Sequence, residues 1–178
     1  LAFIKKGGLI LGICNGFQLL VKLGLLPALD GKYLERQVSL AHNASARYED
    51  RWCHRAVNTA SPCVFTKGLT SLYIPVRHGE GNLVPQDQAT LDRLRKENLI
   101  VLQYAHPETG RPTLDYPYNP NGSPLGIAGL CDPSGRIFGL MPHPEAYNHP
   151  TNHPGWTRGE HAVLGTVIFE NAVKFLRG

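Results

Sequence analysis

Gly8-Leu-Ile-Leu-Gly-Ile-Cys-Asn-Gly-Phe-Gln-Leu-Leu-Val-Lys-Leu-Gly24 is the stretch that decides the fold. Its first six residues form a short apolar run bounded by glycines, which predicts a buried strand. Residues 17–23 then follow helical spacing, and Gly24 is a typical helix stop. A buried strand that turns sharply into a helix indicates an α/β architecture, and Cys14 lies at the turn.

The patterns on either side of this stretch extend the prediction. The first residues resemble the tail of a helix, and helical spacing recurs from Pro85 to Asn98 and from about Gly159 to Leu176. Strand-like runs lie at 52–57, 63–66, 72–76, 99–104, 126–131 and 136–141. The last two flank a tight turn, Asp132-Pro-Ser-Gly135. This mixture predicts an α/β fold with a central, mostly parallel sheet flanked by helices.

Composition and charge indicate a single globular domain and give no sign of a membrane or nucleic-acid-binding protein. The 178 residues are 42% hydrophobic and 18% charged, which suits one globular domain with a full core. We find no apolar run of about 18 residues and no signal-peptide pattern, so the sequence predicts a cytoplasmic protein without a membrane span. The net charge of +4 (18 − 14) is spread along the chain. A solvated helix face explains the cluster at 93–96 better than a nucleic-acid surface does.

The four cysteines are Cys14, Cys53, Cys63 and Cys131. No pair has CxxC spacing, so neither a zinc site nor a thioredoxin-like site is indicated. The chain is also large enough to fold without disulfides, which predicts free thiols in a reducing compartment.

Cys14 has the setting of a nucleophile. In Gly12-Ile-Cys-Asn-Gly16, glycines stand two residues before and two after the cysteine, so that strand and helix can approach closely. The start of the helix favours the thiolate, and the backbone N–H of Asn15 can stabilise an oxyanion. The motif alone is equally compatible with a buried cysteine that serves only packing.

A base and its orienting acid are found in Met141-Pro-His-Pro-Glu145. The prolines predict an extended segment, in which residues two apart project to the same side, so Glu145 can orient the His143 imidazole. His149, His153 and His161 crowd the region that follows, but their loop-like spacing gives no regular ligand geometry. We therefore predict a surface loop near the site and no metal.

At this point the motifs resemble those of a known family, the class I (triad) glutamine amidotransferases. More narrowly, they resemble the glutaminase component of phosphoribosylformylglycinamidine (FGAM) synthase. The resemblance covers about 6–145, and its segments are Gly12–Gln18, Asn43–Trp52, Pro75–Gly81, Gln103-Tyr104 with Tyr116–Ser123, and Met141–Glu145. The His-Gly-Glu-Gly and Asn-Pro-Asn-Gly-Ser segments are what favour this family over other amidotransferases.

The resemblance implies a flavodoxin-like fold and a mechanism. Cys14 would attack the amide of glutamine, His143 would act as acid and base, and a glutamyl thioester would form. Gln18, Asn43, Ser45 and His78 would bind the substrate, although for His78 a contact with the partner or a structural role is also open.

The resemblance also implies partners. Ammonia would pass to a large synthetase subunit, with a small accessory subunit, or to a fused synthetase domain. That partner would use ATP and Mg²⁺, and this chain would need no cofactor. The acceptor would be formylglycinamide ribonucleotide, in purine biosynthesis.

Two departures from the family pattern bear on these expectations. The family begins with a glycine-rich loop that donates the second oxyanion N–H, so we expect residues 1–178 to be a single glutaminase domain that is N-terminally incomplete. Ala146 stands where the family commonly has arginine.

Two alternatives stay open: an amidotransferase for the synthesis of GMP, CTP or anthranilate, and a non-catalytic docking or regulatory subunit.

Overall fold

Four α-helices and eight β-strands make up the regular secondary structure, as seen in a computed structural model that describes residues 1–178. The helices are α1 (Ala2–Lys5), α2 (Asn15–Lys22), α3 (Gln88–Lys96) and α4 (Val167–Arg177). The strands are β1 (Ile10–Ile13), β2 (Val38–His42), β3 (Glu49–Val57), β4 (Ser71–His78), β5 (Glu80–Pro85), β6 (Ile100–Ala105), β7 (Ile127–Cys131) and β8 (Ile137–Leu140). The predicted α/β class is confirmed. None of the helices is long and apolar enough to cross a membrane.

The main sheet is mixed, which corrects the expectation of a mostly parallel sheet. Its six strands run in the order β1-β8-β7-β6-β3-β4. Only β1 and β8 pair in parallel, and the other four pairings are antiparallel. The turn at Asp132–Gly135 shows why, since a connection this short can join only antiparallel strands. Asp132 stabilises that turn by accepting from the backbone N–H groups of Arg136 and Ile137.

A second, two-stranded sheet pairs β2 with β5 in antiparallel register. The sequence predicted neither strand, because the strand-like signals from 38 to 76 are irregular and give candidate strands only at 52–57, 63–66 and 72–76. Both strands have polar or exposed residues at several positions, so their apolar alternation is weak. The β5 strand follows β4 after a single residue, Gly79, and this sharp change of sheet places the 78–81 segment beside the end of β1.

The core is densest around β7 and β8, in which every residue is buried. Such strands are covered on both faces and therefore lack apolar–polar alternation. Helix α2 packs on this region through Phe17, Leu20 and Val21, which share one face of the helix. Phe17 lies so close to Gly139 of β8 that a β-carbon there would be 2.1 Å from its ring. This close packing anchors α2, and with it the turn that carries Cys14.

Some predicted elements differ from the structure in type or in length. Residues 64–66 form a 3-10 turn instead of a strand, α3 is shorter than the predicted helix, and α4 begins at Val167 instead of near 159. Asp87 caps α3, with its carboxylate accepting from the Thr90 N–H at 2.7 Å. Gly165 approaches the Pro144 backbone so closely that a β-carbon would be 2.0 Å from the carbonyl oxygen. This contact holds 159–166 as a loop against the 144–146 turn.

Candidate active site

Cys14 stands between β1 and α2 with a backbone conformation that non-glycine residues rarely adopt, φ 51° and ψ −104°. Its N–H donates to the Leu140 carbonyl at 2.8 Å, so the sheet ladder extends to the cysteine itself. The sharp strand-to-helix turn predicted from the sequence is confirmed. Such strain is typical of a nucleophile that must project out of the chain.

The two glycines of the turn serve different purposes. A β-carbon at Gly12 would lie 2.5 Å from Leu20 and 2.8 Å from the Gly16 backbone, so only glycine fits between β1 and α2. A β-carbon at Gly16 would meet nothing within 4 Å. Close approach therefore explains Gly12, and the prediction that both glycines are needed for it was wrong for Gly16.

The Cys14 thiol is the only partly exposed thiol, since Cys53, Cys63 and Cys131 are buried. All four cysteines are free, as predicted. The Cys14 Sγ lies 3.6 Å from the Arg77 carbonyl oxygen and 3.9 Å from Asn15 Oδ1. Asn15 is the first residue of α2, so its N–H has no acceptor within the helix and is free to stabilise an anion formed beside the thiol.

His143 and Glu145 are brought together just after β8. His143 Nδ1 and Glu145 Oε1 are 2.6 Å apart, and the His143 N–H donates to the Pro75 carbonyl at 2.8 Å. The segment is not extended as predicted, since residues 144–146 form a 3-10 turn. Proline is compatible with the first position of such a turn, and the tight curl brings Glu145 back to the imidazole. The other ring nitrogen, Nε2, is buried and has no hydrogen-bond partner.

The environment of His143 favours its cationic form. The neighbouring Cys14 sulfur contributes most to raising the pKa of His143 to about 9, partial burial opposes this, and Glu145 adds to the rise. In the resting conformation, Sγ contacts the Arg77 carbonyl while Nε2 stays unpaired. Nε2 is thus the ring nitrogen left for the Cys14 sulfur, and an imidazolium at neutral pH carries a hydrogen there that it can donate.

Cys14 and His143 line the same cavity, which has a volume of about 480 Å³. The lining residues are Cys14, Asn15, Gln18, Tyr48, Arg77, His78, Gly79, Glu80 and His143. Gln18 was predicted as a substrate ligand, and its Nε2 donates to the Glu80 carbonyl at 2.8 Å. Its side-chain oxygen accepts no hydrogen bond within the protein and is available to a ligand.

The other predicted substrate ligands occupy different places. Asn43 is buried and absent from the cavity wall, and its Nδ2 donates to the carbonyls of Arg47 and His78, each at 2.8 Å. Ser45 lines a separate cavity of about 460 Å³ and donates to Glu49 at 2.7 Å. The structure thus brings Gln18 and His78 to Cys14, places Asn43 behind them, and leaves Ser45 outside the site.

The segments 78–81 and 119–123, which had carried the narrower resemblance, interlock. Asn121 Nδ2 donates to the Gly81 carbonyl at 2.7 Å, and Ser123 Oγ donates to the same carbonyl at 3.2 Å. The Leu83 N–H donates to Ser123 Oγ at 2.9 Å. The 119–123 segment therefore supports the 78–81 segment, which lines part of the cavity.

Sequence reasoning missed three residues at this site. The Arg77 carbonyl contacts the thiol, and Tyr48 and Glu80 line the cavity. Arg77 and Glu80 flank His78 and Gly79, so their position beside a candidate residue was an available signal. Tyr48 is an exposed aromatic residue two positions after the positive-φ residue Ala46, and no local sequence pattern marked it as a cavity residue.

The histidine-rich segment after Glu145 differs in part from the expected surface loop. His149 and His161 are exposed, but His153 is buried against the rings of Trp52, Tyr73 and Tyr147. No group of three or more histidine, cysteine, aspartate or glutamate side chains is arranged to hold a metal ion.

The fold and this geometry define a class of protein. Residues 1–176 match the model of the CobB/CobQ-like glutamine amidotransferase domain, and the chain therefore belongs to that family. A solved structure of PurLQS from Thermotoga maritima aligns with 98% of this chain and 65% of its own, with a TM-score of 0.67 and 30% identity. The amidotransferase fold is thus confirmed.

The relatives of this chain include subunits of FGAM synthase. FGAM synthase subunit PurQ of Dehalococcoides mccartyi is 45% identical over 179 residues, which cover 98% of this chain and 66% of that protein. PurQ of Methanococcus maripaludis (strain C7) is also 45% identical, with coverage of 97% and 67%. Across four PurQ relatives, the chain spans 55% to 67% of their length.

Proposed function

We propose that this chain hydrolyses glutamine to glutamate and ammonia, with Cys14 as nucleophile, His143 as acid and base, and Glu145 as the orienting carboxylate. One observation carries the proposal. Cys14 lies in a strained strand-to-helix turn and shares a cavity with His143, whose Nδ1 is 2.6 Å from Glu145 Oε1. This is the nucleophile–base–orienter arrangement of cysteine acyl-transfer enzymes.

The first half of the reaction forms a thioester. The Cys14 sulfur attacks the side-chain amide carbon of glutamine, and the Asn15 N–H stabilises the oxyanion. His143 gives its proton to the departing nitrogen as the carbon–nitrogen bond breaks, and ammonia leaves. A pKa of about 9 suits this step, because the imidazole then carries its proton at neutral pH.

The second half releases glutamate. His143, now neutral, takes a proton from a water molecule whose oxygen attacks the thioester carbon. The carbon–sulfur bond breaks, the thiolate returns, and glutamate departs. The net reaction consumes one glutamine and one water and yields one glutamate and one ammonia.

Labelling with a glutamine-analogue electrophile, a diazoketone, tests the nucleophile. We expect stoichiometric labelling of Cys14, protection by glutamine, and no labelling of Cys14→Ala. The buried Cys53 gives a matched control, since Cys53→Ala should label normally. Failure of the unaltered chain to react, or reaction at another cysteine, would remove the basis of the proposal.

We further propose that the ammonia serves a synthetase that converts formylglycinamide ribonucleotide to formylglycinamidine ribonucleotide with ATP and Mg²⁺. The 45% identity to PurQ subunits and the interlocked 78–81 and 119–123 segments support this choice. The partner would be the large synthetase subunit with a small accessory subunit, or a fused synthetase domain, in the cytoplasm.

Glutamine hydrolysis measured with and without the synthetase tests the partner. We expect weak activity from the chain alone and a large rise when the synthetase, formylglycinamide ribonucleotide and MgATP are added together. Full activity without a partner, or stimulation by a GMP synthetase instead, would contradict the assignment while leaving the glutaminase proposal in place.

A further inference from the structure

His78 lies in the wall of the Cys14 cavity, yet both of its ring nitrogens are engaged by the protein. Nδ1 is 3.0 Å from Asn43 Oδ1, and Nε2 is 3.4 Å from the Tyr104 hydroxyl. The residue is only 3% exposed. No ring nitrogen is therefore left to bind a substrate.

The partners of His78 determine its tautomer. Asn43 uses both Nδ2 hydrogens on the carbonyls of Arg47 and His78, so its Oδ1 must accept, and His78 Nδ1 must carry the hydrogen. The Tyr104 hydroxyl accepts from Asn121 Nδ2 at 3.0 Å, so its own hydrogen is free for His78 Nε2. With the Tyr104 hydroxyl as donor to Nε2, the imidazole is neutral and protonated at Nδ1.

A buried cation reinforces the neutral state. The Arg55 guanidinium lies 4.4 Å from the centre of the Tyr104 ring, and its Nε and Nη2 are buried without partners. Arg55 is 1% exposed and forms no ion pair with a carboxylate. Burial first, then the charges of Arg55 and His143, lower the pKa of His78 to about 4. A second positive charge is therefore disfavoured at this point.

The network also fixes the backbone that contacts the nucleophile. The carbonyl of Arg77, the residue before His78, contacts the Cys14 thiol at 3.6 Å. The carbonyls of His78 and Gly79 accept from the Asn43 side chain and N–H, respectively. A β-carbon at Gly81 would lie 2.9 Å from both the His78 ring and Asn121, so glycine is needed where the segments cross.

We propose that His78 is a positioning residue for Cys14: as a neutral Nδ1–H tautomer bound by Asn43 and Tyr104, it holds the Arg77 carbonyl that orients the thiol. It is neither a substrate ligand nor a base. The inference rests on the proposed role of Cys14 as nucleophile, and it replaces the substrate-binding role first assigned to His78.

Nitrogen-15 NMR of the unaltered, histidine-labelled chain tests the tautomer. We expect one neutral histidine with its hydrogen on Nδ1, unchanged from pH 8 to pH 5 and unmoved by saturating glutamine. His78→Gln identifies the signal by its loss. An Nε2–H tautomer, a cationic ring at pH 6, or a shift of the Nδ1 and Nε2 signals on glutamine binding would overturn the proposal.

Tyr104→Phe tests the link to the nucleophile without changing a residue of the cavity wall. We expect the rate of Cys14 alkylation by iodoacetamide to fall about tenfold, the equivalent of one lost hydrogen bond. Glutamine turnover should fall equally in kcat, with KM changed less than about twofold. Tyr118→Phe is the matched control, because its hydroxyl lies outside the network, and it should behave like the unaltered chain.

An unchanged or faster alkylation rate in folded Tyr104→Phe would refute the positioning role. Alkylation needs no glutamine chemistry, so the two proposals can fail separately. Slower alkylation of Tyr104→Phe, together with no glutaminase activity in the unaltered chain, would support the positioning role and refute the glutaminase proposal. Normal alkylation and normal turnover in Tyr104→Phe would refute the positioning role and leave the glutaminase proposal in place.

Discussion

At the scale of single residues, the charge of His143 depends on its two neighbours, Cys14 and Glu145. Glu145→Gln keeps a hydrogen-bond acceptor beside Nδ1 but removes the negative charge that helps to raise the pKa of His143. We expect the NMR titration midpoint of His143 to move down from about 9 toward the ordinary value of 6.5. Glutamine turnover should then fall at a lower pH than in the unaltered chain, because His143 loses the proton that it donates to ammonia at a lower pH.

Glu160→Gln is a suitable control for that experiment. Glu160 is an exposed carboxylate paired with Arg158, and it is not among the groups that shift the pKa of His143. It should leave the His143 midpoint in place. A Glu145→Gln variant whose midpoint also stays near 9 would show that Cys14 alone sets the charge.

The two glycines beside Cys14 give a second residue-scale prediction. Gly12→Ala should lower the free energy of unfolding by about 1–3 kcal/mol, because the new methyl group overlaps Leu20 and the α2 backbone. Gly16→Ala should be neutral or stabilising by up to about 1 kcal/mol, since Gly16 lies within α2 and has open space beside it. Urea unfolding of both variants measures the contrast, and equal destabilisation would contradict it.

The sequence predicted residues whose chemistry is local and missed those defined by packing. Cys14 between glycines and the His143–Glu145 pair could be read from spacing of a few residues. The thiol contact with the Arg77 carbonyl could not, because it depends on how β4 meets β1 across the fold. Arg55 reads as a surface cation by composition, and only its place in β3, facing Tyr104, buries it.

At the scale of elements, α4 is attached to the body by Asn171. Its Nδ2 donates to the carbonyls of Phe65 and Lys67 at 3.0 and 2.9 Å, while Ile168 is the only buried residue of the helix. Asn171→Ala should lower the free energy of unfolding by about 1–2 kcal/mol, because two carbonyls lose their donor. It should also speed hydrogen exchange within α4.

Lys174→Ala in the same helix is the control, and this exposed site should change stability by less than about 0.5 kcal/mol. Equal effects of the two substitutions would show that apolar contacts, and not the hydrogen bonds from Asn171, hold α4 in place.

Element predictions succeeded where one pattern persisted and failed where tertiary contacts overrode it. Helix α2 and strands β6, β7 and β8 have strong periodicity or continuous apolar runs, and each lies within one or two residues of its predicted position. The helical spacing before α4 was misleading because Gly165 is pressed against the 144–146 turn. Strands β2 and β5 were missed because they pair mainly with each other and bury little.

At the scale of the whole molecule, the strand-to-helix unit correctly indicated the α/β class but overestimated parallel pairing. One parallel pair, β1–β8, is sufficient to place Cys14 and His143 at the same edge, because both follow the carboxyl ends of adjacent parallel strands. The antiparallel remainder supports β4, whose end contributes Pro75, Arg77 and His78 to the site.

The same two histidines set how the stability of the whole molecule depends on pH. His78 has a folded pKa of about 4, below its ordinary 6.5, so between these values the unfolded chain binds the proton and the folded chain does not. The contribution of His78 to the free energy of unfolding is therefore fully present above pH 6.5. It is lost as the pH falls toward 4, and it amounts to about 3 kcal/mol. His54, whose pKa is also lowered by burial and Arg55, acts in the same direction.

His143 has the opposite sign. Its folded pKa of about 9 lies above 6.5, so its contribution is complete below pH 6.5 and is lost as pH rises through 9. The free energy of unfolding should therefore be highest near pH 6.5 and fall on both sides, which urea titrations between pH 4 and pH 9.5 can measure. Glu145→Gln should flatten only the alkaline side and His78→Gln only the acid side. The acid side depends on the His78 proton and the alkaline side on the His143 proton. A free energy of unfolding that rises steadily to pH 9, or a single substitution that flattens both sides, would therefore contradict this assignment.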